Sequence, residues 1–399
     1  MDQRGALGGI RVIDCGTYVA GPAAATVMSD FGAEVIKIER PGGGDLWRLF
    51  SKLPGVAKCD LDWCWELTNR NKRSIALDLS HPKGREVLIR LAGTADVFVT
   101  NYQHKLLEKF RLTWDDLALV NSRLIYAHLT GYGDTGEDAD APAFDALAYW
   151  ARSGLMMSVT GADGSPAAPR PAIGDHPTAM SLFGAIMLGL YRRERTGRGG
   201  RVTTSLLASG AWANACDIQA KLLNAEFPQR STGAHPPNPL TAAYLSREGK
   251  IFLLILIDPE VEFPRLCGLL GQPDLAESDL FCSNSAREAN AAALYEILRA
   301  QFEASDLALW AEAFKRNDIK WAPLPPLDDV VRDPQMRAAQ AIIGFEHPRA
   351  GRIETVNSPI FIDAESKCQP APAPAVGAHT REILEELGYE GDEIQTLLR

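Results

Sequence analysis

Over its first 133 residues the chain alternates short apolar runs with helix-like segments, and this rhythm restricts the fold more than any other feature. "GIRVIDCG" is an apolar run bounded by glycines. "AGPAAATVMSDFG" follows, opened at Gly-Pro and closed by Gly32, and then comes "AEVIKIERPGGGD", a second apolar run ended by Pro41 and three glycines. Runs of this kind suit strands buried on both faces, and a helix between two of them makes a β–α–β unit. The pattern repeats: "RSIALDLS" reads as a strand, "HPKGREVLIRLAGT" as a helix, "ADVFVTNY" as a strand, "TWDDLALVNS" as a helix and "LIYAHLTGYG" as a strand. An α/β fold is expected, with a parallel sheet and helices on both faces. Ligands of such sheets collect at the carboxyl ends of strands. Here those loops are "CGTYVAGP", "ERPGGGD", "TNYQHK" and "TGYGDTG".

The rhythm continues through the helix "PTAMSLFGAIMLGLYRRERTG" and "GGRVTTSLLASGAWANACDIQAKLL", then breaks. "FPQRSTGAHPPNPLT" reads as a linker. Beyond it, "AAYLSREGKIFLLILI" reads as a hairpin turning at residues 247–250, with amphipathic helices near 260–271 and 287–316. "KWAPLPPLDDVVRDPQ" reads as a second linker, and the tail as strands ("IIGFEHP", "PIFI") followed by the helical "HTREILEELGY". At 399 residues the chain is long enough for two domains. The expected division is 1–224 for the N-terminal part of a large domain, 225–325 for a small α+β domain, and 326–399 for a linker and the rest of the large domain.

A net charge of −10 argues against a general nucleic-acid binder but leaves room for a local basic pocket. Seven cysteines stand at 15, 59, 64, 216, 267, 282 and 368, without a CxxC, and no pair of histidines has metal-ligand spacing. Reduced thiols and no metal are expected. No signal pattern opens the chain and no apolar stretch reaches spanning length, so the expectation is a cytoplasmic protein that engages no membrane.

The reactive residue that stands out is Asp175 in "AIGDHPTAM", after Gly174 and at the start of a long apolar segment. As a helix N-cap it would accept backbone N–H groups, worth about 0.5–2 kcal/mol, and the helix dipole would favour its ionised form. An ionised carboxylate in a partly dry pocket also suits a nucleophile. His176 sits beside it, but no GxSxG serine elbow is present, so a hydrolytic triad is not expected and His176 takes no role. Arg40 closes "IKIER" at a strand end, where a guanidinium is placed to pair with phosphate. Asn71, Lys72 and Arg73 form a polar cluster in "NRNKRS", and Asn101 closes "FVTN". The run "RRERTGRGGR" reads as a solvated helix end.

Together, "GIRVIDCGTYVAGP", "SDFGAEVIKIERPGGGD", "NRNKRSIALDL", "ADVFVTNY", "TGYGDTG", Gly174–Asp175, "RTGRGGRV" and "HTREILEELGY" resemble the class III CoA-transferases, a family that includes formyl-CoA and carnitine CoA-transferases and, as a divergent branch, α-methylacyl-CoA racemase. The resemblance implies a Rossmann-like large domain whose parallel sheet is formed by both chain ends, a small domain, and an interlocked homodimer. It implies an acyl-CoA:carboxylate CoA-transferase that holds no permanent cofactor and takes coenzyme A and acyl-CoA as substrates, succinyl-CoA with a small carboxylic acid being one such pair. Asp175 then corresponds to the catalytic aspartate, passing through an aspartyl anhydride and an aspartyl-CoA thioester.

Arg40, Asn71, Lys72, Arg73, Asn101 and Lys109 become candidate CoA contacts, Lys109 standing where relatives carry an arginine. Val19 and Ala20 of "VAGP" and Tyr132 of "GYG" become candidates for holding CoA or an oxyanion through their backbone N–H groups. Val19 replaces a glutamine of the formyl-CoA transferases, and "HPPNPLT" replaces their glycine-rich loop. Phe144 in "AFDALAY" stands where the racemases carry a proton-transferring histidine. Racemisation is the first alternative, and a CoA-binding protein without turnover is the second.

Overall fold

The computed structural model describes residues 5–160, 165–227, 235–363 and 365–397. Six parallel strands form the main sheet: β1 (Arg11–Cys15), β2 (Glu34–Glu39), β3 (Lys72–Ala76), β4 (Val97–Thr100), β5 (Ile125–Thr130) and β6 (Gly200–Ser205). Their order is β3-β2-β1-β4-β5-β6, all neighbours parallel. This is a doubly wound order that reverses between β1 and β4. Val12, Ile13, Ile36, Ile75, Phe98 and Val99 are fully buried, as strands covered on both faces require.

Helix Ala20–Asp30 is buried along its whole length, and its small residues let other elements approach closely. The helix Asp175–Thr196 packs against it and against β5 and β6. A Cβ on Gly189 would come within 2.9 Å of Ile125, so the glycine allows that approach. The long helix ends at Gly197, whose φ of 71° forms a left-handed cap.

The chain divides into two compact units. The larger comprises Met1–Val159, Pro166–Ala225 and Gln340–Arg399; the smaller comprises Thr160–Ser165 and Glu226–Ala339. All six strands of the parallel sheet come from residues 11–205, so the expectation that both chain ends build that sheet is corrected. The C-terminal part instead contributes a hairpin of β10 (Ile342–His347) and β11 (Gly351–Val356), an extended segment and the helix Thr380–Glu386. This return segment covers the exposed edge of β3. Asn71 N–H donates to Ala371 O, His379 N–H to Ser74 O, and Ala76 N–H to Thr380 Oγ1. "PIFI" is not a strand; its Ile362 makes only an isolated bridge with Glu365.

The smaller unit has an antiparallel sheet in the order β7 (Thr241–Leu245), β8 (Ile251–Ile255), β9 (Lys320–Pro323). Phe252, Phe263, Phe302 and Phe314 form its buried core. The unit runs on to Ala339, and within it "KWAP" pairs with β8 as a strand instead of acting as a linker. The helical stretch 287–316 breaks into separate helices, with Ala291–Phe302 and Leu307–Arg316 joined through Asp306. Residues 228–234 of the first Pro-rich linker lie outside the described residues.

Candidate active site

β1 and β4 stay paired to their carboxyl ends, and the loops that follow them line a cavity of about 510 Å³. Tyr18, Val19, Trp47, Asn101, Phe144 and Asp175 are among its lining residues. The site of the sheet reversal is where such folds place ligands.

Asp175 is the first residue of its helix, and Gly174 is the N-cap. The expectation that Asp175 caps the helix is therefore corrected: no side-chain cap bond exists there. The carboxyl is partly buried, and burial pushes its pKa up to about 7, with the negative charge of Asp145 adding to the shift. The helix N-terminus alone would lower it; here desolvation and a like charge win. A carboxylate with so high a pKa is more basic than an exposed one and is about half ionised at pH 7.

Asp145 fixes the approach to this residue, since its Oδ2 accepts the N–H of Gly174 at 3.1 Å. It precedes a wide π-helical stretch, Ala146–Arg152, which carries Tyr149. A Cβ on Gly174 would lie 2.5 Å from Tyr149 Cγ, so only glycine fits between the ring and Asp175.

The opposite wall is the loop from β1 into helix Ala20–Asp30. Asp14 Oδ1 accepts Gly16 N–H at 3.1 Å, and Lys37 Nζ donates to Gly16 O. Asn101 accepts Thr17 N–H and donates to Thr17 O, both at 2.8 Å. Asp45 Oδ1 accepts Tyr18 N–H at 3.1 Å. Tyr18 has a φ of 60°, unusual for a residue other than glycine. Past this loop, the N–H groups of Val19 and Ala20 meet no acceptor among the described residues. They are orphan donors of a helix start on the wall of the cavity.

The structure sorts the sequence candidates. Val19, Ala20 and Asn101 line the cavity with Asp175. Asn101, however, spends both ends of its amide on Thr17. Arg40 is exposed at the carboxyl end of β2 and makes no ion pair among the described residues. Lys109 is exposed in the last turn of helix His104–Phe110. Tyr132 is half-buried outside the cavity wall, with the Arg152 guanidinium 5.1 Å from its ring centre.

The "NRNKRS" cluster is engaged in internal contacts. Lys72 is buried and its Nζ is saturated by Asp14 Oδ2, Pro22 O, Thr68 O and Asn69 Oδ1. Asn71 holds Ala371 and Asp30. Arg73 pairs with Glu34, Glu382 and Glu386. All three anchor neighbouring chain, and no donor of Lys72 is left for a phosphate.

Sequence reasoning missed Asp145, Lys37 and Asp45. Lys37 carried a usable signal: a lysine inside "VIKIE", a strand buried on both faces, needs a buried partner. Sequence spacing also hid a cluster. His104 Nε2 and His128 Nδ1 lie 3.6 and 3.4 Å from Asp134 Oδ1. These three side chains are a possible ligand set for a metal. Arg201 Nη2 sits 2.6 Å from the same carboxylate oxygen and 3.2 Å from His128 Nδ1, so a guanidinium already supplies positive charge there.

The profile of CoA-transferase family III matches residues 7–380. The chain belongs to that family. Over 401 residues it is 33% identical to the succinyl-CoA:glutarate CoA-transferase of Mus musculus, covering 100% of this chain and 90% of that one. It is 29% identical to the formyl-CoA:oxalate CoA-transferase of Streptomyces avermitilis, covering 98% of each. Among solved structures, a CAIB/BAIF family protein from Brucella suis superposes with a TM-score of 0.82 at 29% identity, covering 96% of this chain and all of that one. This family III CoA-transferase contains no helix, among the described residues, long and apolar enough to cross a membrane.

Proposed function

We propose that this chain moves CoA from an acyl-CoA thioester to a small carboxylic acid, with Asp175 as the covalent nucleophile. The supporting observation is the pairing of one unbonded, high-pKa carboxylate with the two orphan N–H groups of Val19 and Ala20 on the wall of one cavity. The ionised Asp175 attacks the thioester carbonyl, the C–S bond breaks, and CoA thiolate leaves a mixed anhydride. The thiolate then attacks the aspartyl carbonyl, the anhydride C–O bond breaks, and the first acid departs as a carboxylate. The acceptor carboxylate repeats these steps in reverse, and Asp175 returns ionised, so no proton is gained or lost. Backbone donors aimed at developing oxyanions typically contribute a few kcal/mol to such steps.

Arg40, an exposed cation at the end of β2, and Lys109, an exposed cation in the last turn of helix His104–Phe110, are assigned to the nucleotide half of CoA. The relatives named for glutarate and oxalate point to a small carboxylate as acceptor. Phe144 lines the cavity and cannot carry a proton, which weighs against the racemase reading. The interlocked homodimer is also proposed. Tyr191, Trp212, Leu222 and Leu223 are each at least 65% exposed, large apolar side chains that a second subunit would cover.

The test is trapping. Protein mixed with acyl-CoA and hydroxylamine should yield a hydroxamate on Asp175, located by peptide mass, and Asp175→Ala should abolish transfer while retaining CoA binding. Transfer by Asp175→Ala, or an adduct elsewhere, would overturn the mechanism.

A further inference from the structure

We propose that the buried ion pair Lys37–Asp45 positions the reacting wall of the cavity for turnover, in addition to stabilising the sheet; the inference rests on Asp175 being the nucleophile. Lys37 is fully buried on β2, in register with Asp14 of β1. A buried pair of this kind often contributes no more stability than apolar residues of similar volume. Its place in the fold points to a second role.

Lys37 Nζ lies 3.0 Å from Asp45 Oδ2 and 3.7 Å from Asp14 Oδ1, and it also donates to Gly16 O. The other oxygen of Asp45 accepts two N–H groups, from Tyr18 at 3.1 Å and from Trp47 at 2.9 Å. One carboxylate thus joins two walls of the Asp175 cavity, the loop after β1 and Trp47. Lys37 orients that carboxylate by holding the oxygen the N–H groups do not use.

Tyr18 supplies a second observation. Its left-handed backbone is strained for a residue with a Cβ. Such strain persists only where surrounding contacts hold it. The N–H of Tyr18 is the group Asp45 binds, and the next two N–H groups along the chain, of Val19 and Ala20, are the orphan donors. A change at Asp45 therefore reaches the proposed oxyanion donors through one turn of backbone without touching substrate.

Asp45→Asn keeps the shape and one acceptor oxygen but places an NH₂ group or a neutral oxygen against Lys37 Nζ. The amide cannot serve Lys37 and the two backbone N–H groups as a carboxylate does. Formation of the Asp175 adduct from saturating acyl-CoA, followed in a single turnover by mass spectrometry, should slow at least 10-fold. The CoA dissociation constant from calorimetry should change less than 3-fold, and the melting temperature by a few degrees. Asp45→Glu retains the charge but displaces it by one methylene, and should slow the adduct at least 3-fold while leaving CoA affinity intact.

Wild-type adduct rates in folded Asp45→Asn would overturn the proposal, as would a rate loss matched by an equal loss of CoA affinity. If Asp45→Asn does not fold, Asp45→Glu decides by the same criteria. Failure of the wild-type protein to form any adduct on Asp175 would instead remove the nucleophile reading, and this inference with it.

Discussion

Replacing Asp175 by Asn is expected to stabilise the protein above pH 7 while ending its activity. The folded pKa of Asp175 is about 7, against 3.8 for an unperturbed aspartate. The native state therefore binds this proton more tightly than the unfolded chain. The stability that goes with the bound proton is complete below pH 3.8 and is lost as the pH rises to about 7, above which the penalty is constant. About three pK units at about 1.4 kcal/mol each give an upper bound near 4 kcal/mol. Partial solvent access screens the charge, so about 1–2 kcal/mol is the expected gain for a neutral isostere. Thermal unfolding of both proteins from pH 4.5 to 9 measures it. The advantage of Asp175→Asn should be small at pH 4.5, grow through pH 6 and level off above 7, at about 2 °C in Tm for each kcal/mol. A difference that does not vary with pH, or a variant less stable than wild type at pH 8, would refute a desolvated carboxylate at this position.

Asp145→Asn removes the second cause of the Asp175 shift while preserving an acceptor for Gly174 N–H. The acid limb of the pH profile of kcat/KM for CoA transfer should move to lower pH. Gly174→Ala drives a methyl into the Tyr149 ring and should cost about 1–3 kcal/mol in urea unfolding, with slower adduct formation on Asp175. Arg40→Ala should weaken CoA binding by about 1.5–3 kcal/mol in calorimetry without lowering the melting temperature, since this side chain is exposed and makes no ion pair among the described residues.

The parallel strands were legible because apolar runs such as "RVIDC" and "EVIKIE" carry their burial on their face. Asp175 was legible as a candidate through its place after glycine at a helix start, yet its protonation was not. Its pKa depends first on burial and then on Asp145, which lies 30 positions earlier, and both act only through the fold. The internal partners of the "NRNKRS" cluster were hidden for a related reason. A basic tripeptide at a strand start has the composition of a phosphate site, but Lys72 bonds Asp14 and helix groups, and Asn71 and Arg73 bind chain from residues 371–386. "IIGFEH" was legible as a strand, but its hairpin partner "GRIETV" was passed over for the more apolar "PIFI", because an exposed strand alternates polar and apolar residues.

The covering of the β3 edge bears on how the molecule is made. Arg73 meets Glu386 across 313 positions of chain, and Ser74 meets His379 across 305. During synthesis β3 leaves the ribosome long before the segment that occupies its outer edge. In that interval its free N–H and C=O groups form an open strand edge, a ready template for pairing with another nascent chain. Contacts of such long range also slow the final step of folding. Most of the smaller unit, Glu226–Ala339, is made in that interval, and it has its own Phe-rich core. Maturation of the larger unit is therefore timed by the arrival of residues 371–386, and conditions that stall elongation within the smaller unit should favour aggregation through β3.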